Sequence, residues 1–229
     1  MCPRTQQDPA GGPFGGIPED AVAFYAELVA DNSRTWWLEH KARYDANVRE
    51  PVAHLGEVLA EEFGEPSLFR PHRDVRFSKD KRPYKEHQGA FVKTAETSGW
   101  YVQISADGLT TAAGIYAATP DQVARLRAAV DADRTGRSLE RIAGALRDNG
   151  FEIGGERIKT RPRGIPEDHP RLELLRHKTL TAARDHGVPA WLTTPACADK
   201  VREDWRAMRP LVEWLDEHVG PPEAGARRR

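Results

Sequence analysis

Cysteine is almost missing from this chain. Cys2 and Cys197 are its only two in 229 residues and lie near opposite ends, which argues against a disulfide framework or a metal knuckle and for a reducing cytoplasm. Surplus charge is missing too. Lysine and arginine number 34 against 35 aspartates and glutamates, a formal net charge of -1, so any contact with nucleic acid or an anionic membrane has to be local. No apolar run approaches the roughly 18 residues of a membrane span, so no membrane partner is expected. The opening M-C-P-R-T-Q-Q-D-P-A-G-G lacks the apolar core of a secretory signal.

Several motifs of known mechanism are absent as well. The sequence contains neither G-x-x-x-x-G-K-[ST] nor G-x-G-x-x-G, no G-x-S-x-G elbow and no H-E-x-x-H. His72-Arg73-Asp74 imitates a kinase catalytic loop, but Lys79 stands where the metal-binding asparagine belongs. The eight histidines are scattered. A ligand set drawn from His72, His87, His169 and His177 could be imagined, yet hydrogen-bonded or exposed histidines are the simpler reading. No motif specifies a metal or a cofactor.

What stands out is the stretch R-P-H-R-D-V-R-F-S-K-D-K-R-P-Y-K, residues 70–85. Arg70, Arg73, Arg76, Lys79, Lys81, Arg82 and Lys85 crowd around only two acids, Asp74 and Asp80. Like charges this close require counter-charges, either the protein's own carboxylates or a bound anion. Arginine offers a planar fork to two oxygens and lysine a point charge, so a phosphate or carboxylate is the natural guest. A second cationic group, Lys159, Arg161 and Arg163 in K-T-R-P-R-G, contains no acid. If the two groups lie on neighbouring hairpins they converge on one anion.

The remainder reads as one α+β domain over residues 17–219, with tails at 1–16 and 220–229. Pro18 opens a helix whose apolar stripe is Val22, Tyr25, Leu28 and Val29. Asn32 or Ser33 caps a second, carrying Trp36, Trp37, Leu38 and Tyr44, the tryptophan pair being read as core. After a break at Pro51, Val52, Leu55, Val58, Leu59 and Phe63 keep helical spacing until Gly64. Asp74 to Ser78 then alternates like a strand, Lys81 to Tyr84 reads as a loop and Gly89 to Val92 as a short strand. Trp100, Val102 and Ile104 alternate with polar neighbours into an Asp107-Gly108 hairpin and a strand to Tyr116. Helices follow from Pro120 to Val130 and from Thr135 or Ser138 to Gly150. A second hairpin is expected at Gly154-Gly155, joining Phe151–Ile153 to Arg157–Thr160. A loop with three prolines, a short helix at Leu172 and Leu175, either a strand or a continuation of that helix at Leu180 to Arg184, and a long helix from Ala196 to Val219 complete the chain. A central antiparallel sheet of hairpins with helices packed on it is the architecture expected.

At residues 70–85 the sequence resembles a known family. R-x-x-R-D-x-R-F followed by D-K-x-x-Y, here Arg70, Arg73, Asp74, Arg76, Phe77, Asp80, Lys81 and Tyr84, is similar to the signature of domain-of-unknown-function family 2461, conserved hypothetical bacterial proteins. The likeness extends through F-Y-A-E-L, G-W-Y-V-Q-I-S-A-D-G-L, K-T-R-P-R-G and H-P-R-L-E-L-L-R-H-K. It implies a single-domain bacterial cytosolic protein and brings no activity, cofactor or catalytic residue with it.

The leading expectation is therefore a small anionic ligand held by Arg70, Arg73, Asp74, Arg76, Lys79, Asp80, Lys81 and Tyr84 together with Lys159, Arg161 and Arg163. If the protein is an enzyme, phosphate-ester or nucleotide chemistry with Asp74 or Tyr84 handling protons is the class expected. A nucleic-acid-binding module, with Tyr84, Trp100 or Tyr101 stacking on bases, is the first alternative. A scaffold whose basic motif is an internal salt-bridge network is the second.

Overall fold

Helix signals near the start of the chain translate directly into structure in the computed structural model, which describes residues 13–76, 79–94 and 98–223. Pro18 precedes α1 (Glu19–Ala30), whose first turn carries Glu19 and Asp20, where carboxylates meet the positive end of the helix dipole. Ala21, Phe24, Tyr25 and Leu28 are buried, while Val29, assigned to the same stripe, is 47% exposed. Ser33 caps α2 (Arg34–Tyr44) by accepting from the Trp36 amide at 3.2 Å. Trp37 is buried and Trp36 packs partly against the core. Phe14, within the stretch read as a tail, is also buried, so ordered packing begins before Ile17.

The break expected at Pro51 takes the form of a π-helical turn, Asp45–Arg49, that runs straight into α3 (Glu50–Phe63). A proline ring clashes with the carbonyl four residues back, and a widened turn just before it relieves that contact. Gly64, at φ +100°, ends the helix.

Six strands form one antiparallel sheet in the order β1-β2-β3-β4-β6-β5: β1 (Pro66–Leu68), β2 (His87–Lys93), β3 (Ser98–Ser105), β4 (Gly108–Ile115), β5 (Glu152–Gly154) and β6 (Leu180–Gly187). The β3–β4 hairpin forms as expected, although its two turn residues are Ala106 and Asp107. Gly108 already pairs with Ser105 and adopts φ +103°, where a Cβ would stand 1.9 Å from the Gly187 carbonyl oxygen. Two expected strands are corrected. Residues 73–76 are not a strand, because the Asp74 side chain accepts from the Arg76 amide and a local carboxylate turn replaces ladder pairing; Phe77 and Ser78 lie outside the described residues. The Gly154-Gly155 hairpin does not form either. β5 pairs with β6 instead, and Gly155 at φ +114° turns the chain against Thr179, whose carbonyl oxygen a Cβ would meet at 2.2 Å.

Thr119 and Gln122 form a capping box on α4 (Pro120–Asp131). It is followed by α5 (Asp133–Asp148), the short α6 (Leu172–Leu175) and α7 (Ala196–His218), with Pro210 inside. Helices α1, α3 and α7 lie against the strands, and Trp100, Val102 and Ile104 bury themselves towards them. Trp205 of α7 donates its indole N–H to the Tyr101 carbonyl at 3.2 Å. The alternate residues Tyr101, Gln103, Thr110, Ala112, Thr181 and Ala183 are only half-buried. These lie on the opposite face because side chains alternate along a strand. This α+β sheet thus has one face in the core and one turned to solvent.

Candidate functional site

The 70–85 loop joins β1 to β2, and its two ends are fastened to each other. His72 and Tyr84 form an isolated bridge, the Arg73 amide donates to Pro83 at 2.8 Å and the Lys85 amide to Pro71 at 2.8 Å. The Tyr84 ring is buried at 4% exposure, stacked on Trp37 at 4.2 Å. Tyr84 is therefore a core anchor and not a ligand group, a correction to its place in the expected site.

Three of the loop's seven cations find carboxylates of their own. Arg73 pairs with Asp80, Arg76 with Asp74, and Arg82 with both Asp80 and Glu86. Arg76 donates twice to Asp74, from Nε at 2.9 Å and Nη2 at 2.6 Å. These side-chain bonds hold the Asp74 carboxyl down to about 2. Arg82 first, then Arg73, hold the Asp80 carboxyl far below the usual carboxylate range. Neither aspartate is a proton donor near neutrality, since both carboxyls stay ionised there. Lys81 donates to the Val75 carbonyl at 3.0 Å, and the Lys85 ammonium lies 5.0 Å from the Phe69 ring centroid. Arg70, Lys79, Lys81 and Lys85 have no carboxylate within 4 Å among the described residues.

The second cationic group lies elsewhere. His87 pairs with Ser105, and Ser105 with Gly108. The 70–85 loop, entering β2 at His87, therefore sits at the Ala106–Asp107 end of the sheet. Ile115 pairs with Leu180, so the segment 155–179, entering β6 at Leu180, sits at the opposite end. The loop also belongs to the β1–β2 edge and the segment to the β5–β6 edge. The two groups do not converge, because the expected second hairpin is in fact the outer edge of the sheet.

The 155–179 segment builds a hollow of its own, of about 650 Å³, against Tyr116 at the end of β4 and against α4. Four cations line it, Arg127, Arg161, Arg163 and Lys178, with one carboxylate, Glu156. Glu156 also fixes the wall: its carbonyl accepts from the Lys178 amide at 2.7 Å, and its amide donates to Thr179 Oγ1 at 2.8 Å. Arg161 is steadied by the Ile165 carbonyl at 2.7 Å and lies 3.5 Å from Glu167. Arg127 Nε donates to the Leu175 carbonyl at 3.3 Å. Among the described residues, Arg127, Arg163 and Lys178 have no carboxylate within 4 Å. Lys159 lines a separate shallow cleft with Arg157, Glu173 and Arg176.

Sequence reasoning thus reached Arg161 and Arg163 and missed Arg127 and Lys178. The missed pair lie about 50 residues apart, on α4 and just before β6, and only the return of those elements to one place joins them to Arg161 and Arg163. The stacking residues proposed for nucleic acid fare differently from one another: Trp100 and Tyr84 are buried, at 3% and 4% exposure, while Tyr101 lies on the open face. His72, His87, His169 and His177 are not gathered, and among the described residues no cluster of three His, Cys, Asp or Glu side chains could hold a metal ion. No helix among them is long and apolar enough to cross a membrane.

A one-sided antiparallel sheet with helices on its inner face and a cation-lined hollow at one end defines the class, an α+β protein. The chain belongs to the family described as "Conserved hypothetical protein (DUF2461)", whose profile matches residues 20–214. No curated protein matches it.

Proposed function

We propose that this protein binds a small phosphorylated or carboxylated molecule in the hollow between α4, the end of β4 and the 155–179 segment. The observation that carries the reading is the imbalance of four cations over one carboxylate in a lining of about 650 Å³, a size typical of small-molecule sites. An anion there gains charge-assisted hydrogen bonds that the protein does not already provide internally. We place this binding in the bacterial cytoplasm, as the low cysteine content and the free, buried Cys197 support. A nucleic-acid track has less support, since the hollow's cations form one compact cluster and not a line along the surface. For the 70–85 loop the ion pairs favour a structural role.

Titration calorimetry with inorganic phosphate on the parent, Arg163→Ala, Lys178→Ala and Arg76→Ala chains tests the reading. Loss of a charge-assisted contact in either of the first two variants should weaken binding by about tenfold or more. Arg76→Ala should bind as the parent does. Unchanged binding in Arg163→Ala and Lys178→Ala, or loss in Arg76→Ala, overturns it.

A further inference from the structure

The solvent-facing side of the sheet carries a second, apolar recess of about 210 Å³, lined by no helix. Its floor is nearly without side chains, made of Gly99, Ala112, Gly114 and Thr181. Register places these together: Gly99 pairs with Gly114, Tyr101 with Ala112, and Gly114 with Thr181. Two aromatic pairs form the walls. Phe69 and Tyr101 have ring centroids 5.8 Å apart, and Phe91 and Tyr116 meet edge to face at 4.9 Å. A floor of glycine and alanine between aromatic walls admits a flat apolar group close to the backbone.

Size and position say what that group belongs to. At about 210 Å³ the recess is smaller than the roughly 300–1,000 Å³ of independent small-molecule sites. It adjoins the cationic hollow: Tyr116 lines both, and Thr181 on its floor follows Lys178 and Thr179 on the hollow's wall by two to three residues. Charge lies on one side of Tyr116 and aromatic surface on the other.

Resting on the anion reading above, we propose that the two cavities are subsites for one ligand, an aryl anion. Its phosphate or carboxylate lies among Arg127, Arg161, Arg163 and Lys178, and its planar ring lies in the recess beyond Tyr116. Tyr116, 47% exposed, is then covered from both sides.

The test compares 1-naphthyl phosphate, inorganic phosphate, neutral 1-naphthol and a short oligothymidylate by calorimetry. The proteins are the parent, Ala112→Leu and Arg163→Ala. Ala112 is half-buried on the open face, so leucine fills the recess without entering the core. Thr181→Leu fills it from β6 if Ala112→Leu fails to fold. Naphthyl phosphate should bind at least about tenfold tighter than phosphate, from the added burial of its rings. Ala112→Leu should erase that preference and leave phosphate binding unchanged, whereas Arg163→Ala should weaken both anions. Equal affinity for the two anions, or a preference that survives both recess-filling variants, overturns the shared site and leaves the anion reading standing. Naphthol matching naphthyl phosphate, with no effect of Arg163→Ala on any probe, overturns both. Oligothymidylate binding tighter than naphthyl phosphate, with a steep salt dependence, replaces the small ligand by a single strand.

Discussion

Asn32 and Tyr84 are bound to each other twice: the Asn32 side chain donates to the Tyr84 carbonyl at 3.0 Å, and the Tyr84 amide donates to Asn32 Oδ1 at 3.1 Å. The partners are 52 residues apart, and the pair fastens the 70–85 loop to the helical layer beside the Trp37–Tyr84 stack. Asn32→Ala leaves a backbone donor and acceptor without partners and should cost about 1–3 kcal/mol in urea unfolding. Asn32→Asp should recover part of that loss through the accepting oxygen. Equal stability of Asn32→Ala and the parent would show that water replaces the side chain.

Gly136 of α5 lies against Arg171. A Cβ there would stand 2.2 Å from the Val130 carbonyl oxygen and 2.5 Å from Arg171 Nε. Arg171, 5% exposed, donates to the Val130 and Asp131 carbonyls at 2.7 and 2.9 Å and so caps the end of α4. By helix propensity alone Gly136→Ala should stabilise by up to about 1 kcal/mol. The crowding predicts the opposite sign, a loss of about 1–3 kcal/mol in the denaturation midpoint.

Asp204 of α7, 2% exposed, accepts from Thr111 Oγ1, Arg184 Nη1 and His186 Nε2, each at 2.6 Å. These bonds pin α7 to β4 and β6. Asp204→Ala leaves the Arg184 charge partly buried without its partner and should lose about 3–5 kcal/mol by equilibrium unfolding. Anion binding at the far end of β4 should survive in whatever fraction stays folded.

Burial lowers the affinity of His177 and His87 for protons; nearby Lys85 and Arg73 add to the effect at His87. His177 Nδ1 lies 3.0 Å from the Thr179 carbonyl, which can only accept, so the neutral ring is held with a proton on Nδ1. Lowered in the folded state, both groups bind more protons when unfolded once the pH drops below about 6.5. Their contribution is complete above that value and is lost as pH falls towards the folded-state values. The melting temperature should therefore decline between about pH 7 and pH 5, before ordinary carboxylates titrate. The decline should flatten in the double variant His87→Gln, His177→Gln, and an equal slope in both proteins would sink the assignment.

Cys197 is fully buried, and burial pushes its thiol up to about 12. In a Cys2→Ser chain, dithiodipyridine should therefore react with no thiol before unfolding and with one afterwards. Rapid reaction under native conditions would mean that the start of α7 opens locally.

Much of the architecture was legible from local chemistry. Helix α1 follows from Pro18 and its acids, α4 from Thr119-Pro120-Asp121 and the β3–β4 hairpin from alternation up to Asp107-Gly108, because caps, turns and periodicity act over a few residues. The same locality explains the failures. Val75 and Phe77 alternate like a strand, but Asp74 turns back on the Arg76 amide. Gly154-Gly155 looks like a hairpin tip, but the edge of β6 was free to take β5.

By itself, the order of residues determined the elements, the α+β class and the presence of two cationic groups. Only the tertiary structure decided which cations share a cavity. Strand order carried Arg161 and Arg163 to the end of the sheet opposite the 70–85 loop, and chain return added Arg127 and Lys178 beside them. Net field at a point depends on distances between charges that sequence separation does not set.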